Sequence, residues 1–336
     1  MVVLCLGIGL KNPVFFTAPN AVSLLQSLTV YGIMAFALML GIIIGGIDVS
    51  FPATAVVSMY LVNKVLESIA YDGPAFLPIL AAVAIGTLLG LVNGFLITKF
   101  DLPAFIVTLG TSSVFHGLLV FLLGGKPVNR LVAPLEALSK MELLRVESGG
   151  TSRALPVTFL FLMAVMVVVW FILNKTMLGR MIYAIGGDRI SAQRAGFPVK
   201  PIIIFVYAFI GFAAGLAGIV HSIQARLCIP TDLMGCEMTV IAMVVLGGTK
   251  ISGGRGTVLG TFLGLAIITI TQNSLILVGI PSTWQQFAVG VVIVAGTGIS
   301  AYQALRNSRK IAPVMSEEHH EHAAPAQSTE GGAVNG

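Results

Sequence analysis

The chain has 336 residues, of which 56% are hydrophobic and only 10% charged, with mean hydropathy +0.97. A soluble globular domain carries about 25% charged residues, so this composition excludes one and describes an integral membrane protein. The net charge of +5 comes from 19 basic residues spread through loops between apolar runs, the pattern of membrane orientation signals and not of a nucleic-acid-binding patch.

In chain order, Val2 to Leu10 is apolar but only about half a span, as a truncated first helix would be. It lacks the basic start and small-residue cleavage site of a signal peptide. Uncharged runs then cover Ala21 to Ile47, Val49 to Asn63, Gly73 to Thr98, Leu102 to Gly125, Ala154 to Asn174 and Pro201 to Val220. From Thr257 to Leu305 there is no Asp, Glu, Lys or Arg, and a Gly279-Ile280-Pro281-Ser282 turn divides that stretch into two spans. None of these runs alternates in polarity as membrane-barrel strands do.

Met238 to Thr249 is short, and is either a tilted span extended by Cys228 to Glu237 or a re-entrant segment buried in protein. Charge favours the span. It gathers Lys99, Lys250, Arg255, Arg306, Arg309 and Lys310 on one side with the cations of the Lys175–Lys200 loop. The opposite side holds the long Lys126–Arg153 loop, partly neutralised by Glu136, Glu142 and Glu147. The expected fold is therefore all-α, a polytopic membrane protein of about ten transmembrane helices with both ends cytoplasmic. Residues 1–311 form its transmembrane domain, and 312–336 a disordered cytoplasmic tail whose His319, His320 and His322 read as solvated rather than metal-binding.

The polar island Lys175 to Lys200 carries a full set of helix boundary signals: Asp188 as N-cap, Gly196 for the left-handed C′ position, and Pro198 as a stop. So short a helix cannot stand alone in water, because nucleation costs more than two turns of hydrogen bonds return. Lys175, Arg180, Arg189, Arg194 and Lys200 surround the single acid Asp188, which places the island in the cytoplasm. A docked helix projecting there implies a soluble partner. Glycine stripes at four-residue spacing, Gly86/Gly90/Gly94 and Gly256/Gly260/Gly264 with the shorter Gly41/Gly45 and Gly211/Gly215, predict tight helix crossings.

No constellation of nucleophile, base and stabilising groups emerges. His116 and His221 are isolated in apolar runs and read as hydrogen-bonded packing residues. Gly248 to Arg255 begins like a phosphate-binding loop, but Gly254 and Arg255 stand where Lys and then Ser or Thr are required, so the chain is expected to bind no nucleotide or other cofactor itself. Cys5, Cys228 and Cys236 have no metal-ligand spacing; the last two share one predicted external loop and read as free thiols, with pairing as the alternative. Asn93, Thr108, Thr111, Ser112 and Asn273 are uncharged polar groups inside spans, which suits a neutral, hydroxyl-rich solute. Asp48, in Gly45-Gly46-Ile47-Asp48-Val49-Ser50, has two readings: a cap between two helices, or a gating residue on the solute pathway.

Four blocks in order resemble the permease subunit of ribose-type ABC importers, the second carbohydrate-uptake class. They are Gly45 to Ser50; Asn93-Gly94 with Leu102-Pro-Ala-Phe-Ile-Val-Thr-Leu-Gly-Thr111; Gly179-Arg-Met-Ile-Tyr-Ala-Ile-Gly-Gly187; and Val245 to Thr257. The resemblance covers about Pro13 to Tyr302. It implies that Asp188 to Gly196 is a coupling helix docked in a groove of a separate ATPase subunit. Ala192, Ala195 and Gly196 would give a small docking surface, with Arg180, Asp188, Arg189, Ser191 and Arg194 around it. It also implies ATP with magnesium in that partner, a second permease copy or paralogue, an extracytoplasmic solute-binding protein, and residence among lipid in the bacterial cytoplasmic (inner) membrane. Asp188, Arg189, Ser191 and Thr239 depart from the family's usual residues, which leaves open the particular ATPase and solute. A monosaccharide is the leading expectation; a related permease for branched-chain amino acids or nucleosides, and an ion-coupled carrier, are the alternatives.

Overall fold

The computed structural model describes residues 13–148 and 151–277 and scattered positions between 279 and 298. Val2–Leu10, most of the span expected after the Gly279 turn, and the tail lie outside the described residues. The architecture concerns the first of two compact units, Met1–Val292; of the second, Ile293–Gly336, only Val294 and Gly298 are described.

A 3-10 turn at Pro13–Phe16 leads into α1 (Ala18–Ile43), α2 (Phe51–Ser68), α3 (Phe76–Phe100) and α4 (Ala104–Leu123). A short α5 (Ala133–Ser139) and the strands β1 (Glu142–Ser148) and β2 (Thr151–Pro156) precede α6 (Phe159–Lys175), α7 (Met177–Gly187) and α8 (Arg189–Arg194). The chain then forms α9 (Val199–Ala225), α10 (Glu237–Leu246) and α11 (Val258–Leu277). Five of the described helices are long and apolar enough to cross a membrane, and six if α6 and α7, bent by 77°, count as one broken span.

The core is built on α1, buried from Leu28 to Ile43 apart from the half-buried Tyr31. The predicted glycine stripes find each other. Gly86 and Gly90 of α3 pack against Gly211 and Gly215 of α9, so closely that a methyl group on Gly90 would sit 3.0 Å from the Gly211 Cα. In lipid there is little to gain from further apolar burial, so this backbone approach supplies the contact. The second stripe works in the same way: Gly260 lies on the Gly247 carbonyl and Gly264 on the Met243 carbonyl, holding α10 antiparallel to α11.

Two features differ from the sequence reading. The long external loop contains an antiparallel hairpin, with Arg145 opposite Ala154 and Val146 opposite Arg153. In addition, Cys228 to Cys236 does not extend α10 as a helix. The Cys228 backbone instead pairs with Val128, both N–H···O distances being 2.9 Å, and Arg226, Leu233 and Gly235 all take left-handed φ. α10 has 10 residues, about 15 Å of helix and half of a bilayer core. The helical part alone thus covers about half of a span, and the chain that precedes it is irregular.

The two faces are distinguishable. At one, Arg226 donates to the Ser139 carbonyl (3.5 Å) and Gln224 to Thr158 (3.0 Å), beside the hairpin. At the other, Gly254 N–H donates to the Ile43 carbonyl (2.8 Å) and the Tyr183 hydroxyl to the Gly256 carbonyl (2.7 Å). The second face carries Lys99, Lys175, Arg180, Arg189, Arg194, Lys200, Lys250 and Arg255, and is the cytoplasmic one by the positive-inside rule.

Candidate functional site

The first candidate site is the cytoplasmic elbow α6–α7–α8. Thr176 breaks the chain direction, and its hydroxyl then caps α7 by accepting from Gly179 N–H (3.3 Å). Gly179 lies directly on the backbone of Ile172 and Leu173, so the bend needs a residue without a side chain there. α7 runs across the membrane face with Ile182 and Ile185 buried beneath it. Asp188 starts α8: one carboxylate oxygen accepts from Ile190 N–H (2.9 Å) and the other from the Ser191 hydroxyl (2.6 Å). The Ser191 hydroxyl, then the backbone N–H groups of Ser191 and Ile190, hold this carboxyl below the usual carboxylate range, so the cap is ionised at neutral pH. At the other end Phe197 N–H bonds the Ala192 carbonyl (3.1 Å) and Gly196 N–H the Gln193 carbonyl (3.0 Å), with Gly196 at φ +84°, a complete Schellman stop.

Of the residues expected at a docking surface, Ser191, Arg194, Ala195 and Gly196 are exposed. Ala192 is turned inward at 4% exposure and packs α8 onto its own chain, so it is not part of that surface. Ile190, at 62% exposure, presents a large apolar side chain to the cytoplasm in its place. Sequence reading missed Ile190 because an isoleucine beside spans looks like core. Arg189 pairs with Asp101 at the end of α3 (3.0 Å), and Arg180 is exposed on α7.

The second candidate site is a sealed polar knot near the cytoplasmic ends of the helices. Asp48 Oδ1 accepts from Ser50 N–H and from the Ser50 hydroxyl, each at 2.7 Å, and Asn93 Nδ2 donates to the same hydroxyl oxygen at 2.7 Å. Thr108 on α4 accepts from Val49 N–H (3.1 Å). Asp48, Ser50, Asn93 and Thr108 are all at most 1% exposed. The Tyr207 hydroxyl fills the space that a side chain at Gly46 would need. Asn93 Oδ1 and the Tyr207 hydroxyl are buried without a hydrogen-bond partner among the described residues. Asp48, Asn93 and Thr108 are thus brought together, with Asp48 capping the turn. Thr111 and Ser112 sit further along α4, half-buried, and Asn273 bonds Ser27 on α1 (3.2 Å), away from the knot.

The Gly248–Arg255 loop spends its glycines on packing. Gly248, Gly253 and Gly254 are left-handed, Lys250 N–H bonds the Arg255 carbonyl (3.0 Å), and a side chain on Gly253 would meet the carbonyls of Gly186 and Ile43. His116 and His221 bond the Pro230 carbonyl (3.2 Å) and Asp232 Oδ2 (3.1 Å) from α4 and α9. Cys228 and Cys236 are free and buried.

Residues 20–296 match the family described as branched-chain amino acid transport system/permease component. The ribose import permease RbsC of Haemophilus influenzae is 33% identical over 294 residues, 87% of this chain and 88% of that protein. The Bacillus subtilis RbsC is 33% identical over 291 residues, 87% of each chain. The autoinducer 2 import permease LsrC of Yersinia pestis is 34% identical over 214 residues, 64% of this chain and 58% of that one. No solved structure matches. With the multi-pass helical fold, the cytoplasmic elbow and these relatives in view, the chain belongs to the branched-chain amino acid transport system/permease family, as a ribose-type ABC importer permease.

Proposed function

We propose that this chain is the membrane-spanning subunit that moves a monosaccharide or similar hydroxylated solute inward, driven by a separate ATPase docked on α8. The observation that carries this reading is α8 itself: a helix capped at both ends, exposed on the cytoplasmic face, with Ile190 presented outward. The relatives supply the solute class, since two are ribose permeases. The Gly248–Arg255 loop lacks the residues of a nucleotide site, so ATP with magnesium belongs to the partner and this chain carries no catalysis of its own. An extracytoplasmic binding protein and a second permease copy or paralogue complete the machine.

α7 is the transmitting element. Tyr183 holds Gly256, and Gly186 lies on the Ile43 carbonyl and beside Gly254 N (2.6 Å from the position of a methyl group). A displacement of α8 passed to α7 would therefore reach the end of α1 and the loop joining α10 to α11. Closure of the ATPase pair would shift the population between two packings of these helices. The Arg189–Asp101 pair is solvent-exposed and worth at most about 1 kcal/mol, so it orients α8 without fixing it.

Arg194→Glu reverses a charge on the exposed face of α8. In cells carrying the unmodified ATPase and binding protein, sugar uptake should fall about tenfold or more while the protein still reaches the membrane. Uptake at the parental rate would remove α8 from the coupling role.

A further inference from the structure

The stretch Arg226–Cys236 is non-helical backbone at membrane depth. It leaves α9 at the outer face, where Arg226 bonds Ser139, and ends at Cys236, where the 10-residue α10 begins its run to the Gly248–Arg255 loop. Backbone of this kind is tolerated only where protein or water satisfies it, because lipid cannot. One side is satisfied by protein: Leu233 and Met234 pack on a core that includes Met59, Tyr60 and Cys228. The other side is open, with Thr231 and Gly235 exposed and His221 and Asp232 partly so, their side chains 25% and 29% accessible. Leu233 holds φ +62°, a left-handed conformation that a branched side chain rarely adopts. Strain of that kind persists where the surroundings impose it, and it gathers at ligand sites and switch segments. Two histidines on different helices, His116 and His221, hold the residues just before Leu233 by bonding Pro230 and Asp232.

We infer that Arg226–Cys236 is a water-lined wall of the translocation pathway, and that the His221–Asp232 pair contacts a hydroxylated, uncharged solute there. This rests on the import-permease reading above. The chemistry fits adjacent hydroxyl groups, since a carboxylate accepts from one while the imidazole exchanges a hydrogen bond with the next. The same pair is where an ionisable group is expected inside a membrane protein, at a solute path and facing a partner. The Asp48 knot, by contrast, is sealed in this conformation and offers no accessible surface.

Two measurements on the full chain, co-expressed with its ATPase and binding protein, decide the matter. In a background with Cys5, Cys228 and Cys236 changed to Ala, Thr231→Cys should react with a charged, membrane-impermeant thiosulfonate added outside cells. The rate should exceed that of Leu88→Cys, exposed mid-helix on α3, by about tenfold or more, since only a hydrated thiolate reacts. Rates no faster than at Leu88→Cys, with the protein present in the membrane, overturn the wall. Separately, Asp232→Asn should slow D-ribose uptake about tenfold, the loss of one hydrogen bond to a charged group, while labelling at Thr231→Cys is unchanged. Uptake at the parental rate overturns the contact. If the parental chain imports no ribose yet Thr231→Cys reacts, the wall stands and the sugar assignment is what fails.

Discussion

A single hydroxyl, that of Ser50, joins two stretches of chain: it donates to Asp48 just before α2 and accepts from Asn93 of α3. Because all of these groups are buried, removing it leaves Asn93 without that acceptor in a place where water cannot substitute. Ser50→Ala should therefore cost about 1–3 kcal/mol, read as a lower thermal midpoint in detergent. Ser113→Ala, which removes an exposed hydroxyl bonded only to its own helix at 3.4 Å, should leave that midpoint unchanged. Equal effects would mean that the knot is not a brace. Asp48 and Asn93 were each legible as unusual polar residues in apolar surroundings. Their meeting was not, because 43 residues separate Ser50 from Asn93 and only the tertiary fold closes that distance.

Among the elements, the α3–α9 crossing depends on the absence of side chains. Gly90→Ala would push a methyl group into the Tyr207 carbonyl, whereas at Gly110 on α4 a methyl group meets open space. The first change should destabilise by about 1–3 kcal/mol or prevent folding, and the second should be neutral or stabilise by about 0.5–1 kcal/mol. Thermal midpoints of the purified variants test the contrast, and a tolerated Gly90→Ala would show that the stripes do not set the approach. These stripes were readable from spacing alone, and so were the caps of α8, because Asp188 and Gly196 act on residues within one turn of themselves. The irregular stretch before α10 was not readable. Its shape comes from backbone pairing with Val128 and from His116, both distant in sequence. The β1–β2 hairpin escaped for a related reason, since the loop that contains it was interpreted through its charges.

At the scale of the whole molecule, the parts form one mechanical line. α8 stands at the cytoplasmic surface, α7 lies on the end of α1 and on the Gly248–Thr257 loop, and that loop joins α11 to α10, at whose far end the irregular segment Arg226–Cys236 begins. On the proposed reading, one end of this line is where a separate ATPase would push and the other is where a solute would pass. Family membership and the multi-pass fold agree with that division of labour. The most direct measurement is solute uptake into proteoliposomes. D-ribose should accumulate only when this chain, its ATPase, the binding protein and ATP are all present, and uptake should cease when any one is withheld. Accumulation by this chain alone under an ion gradient, with no ATPase in the vesicle, would contradict the account.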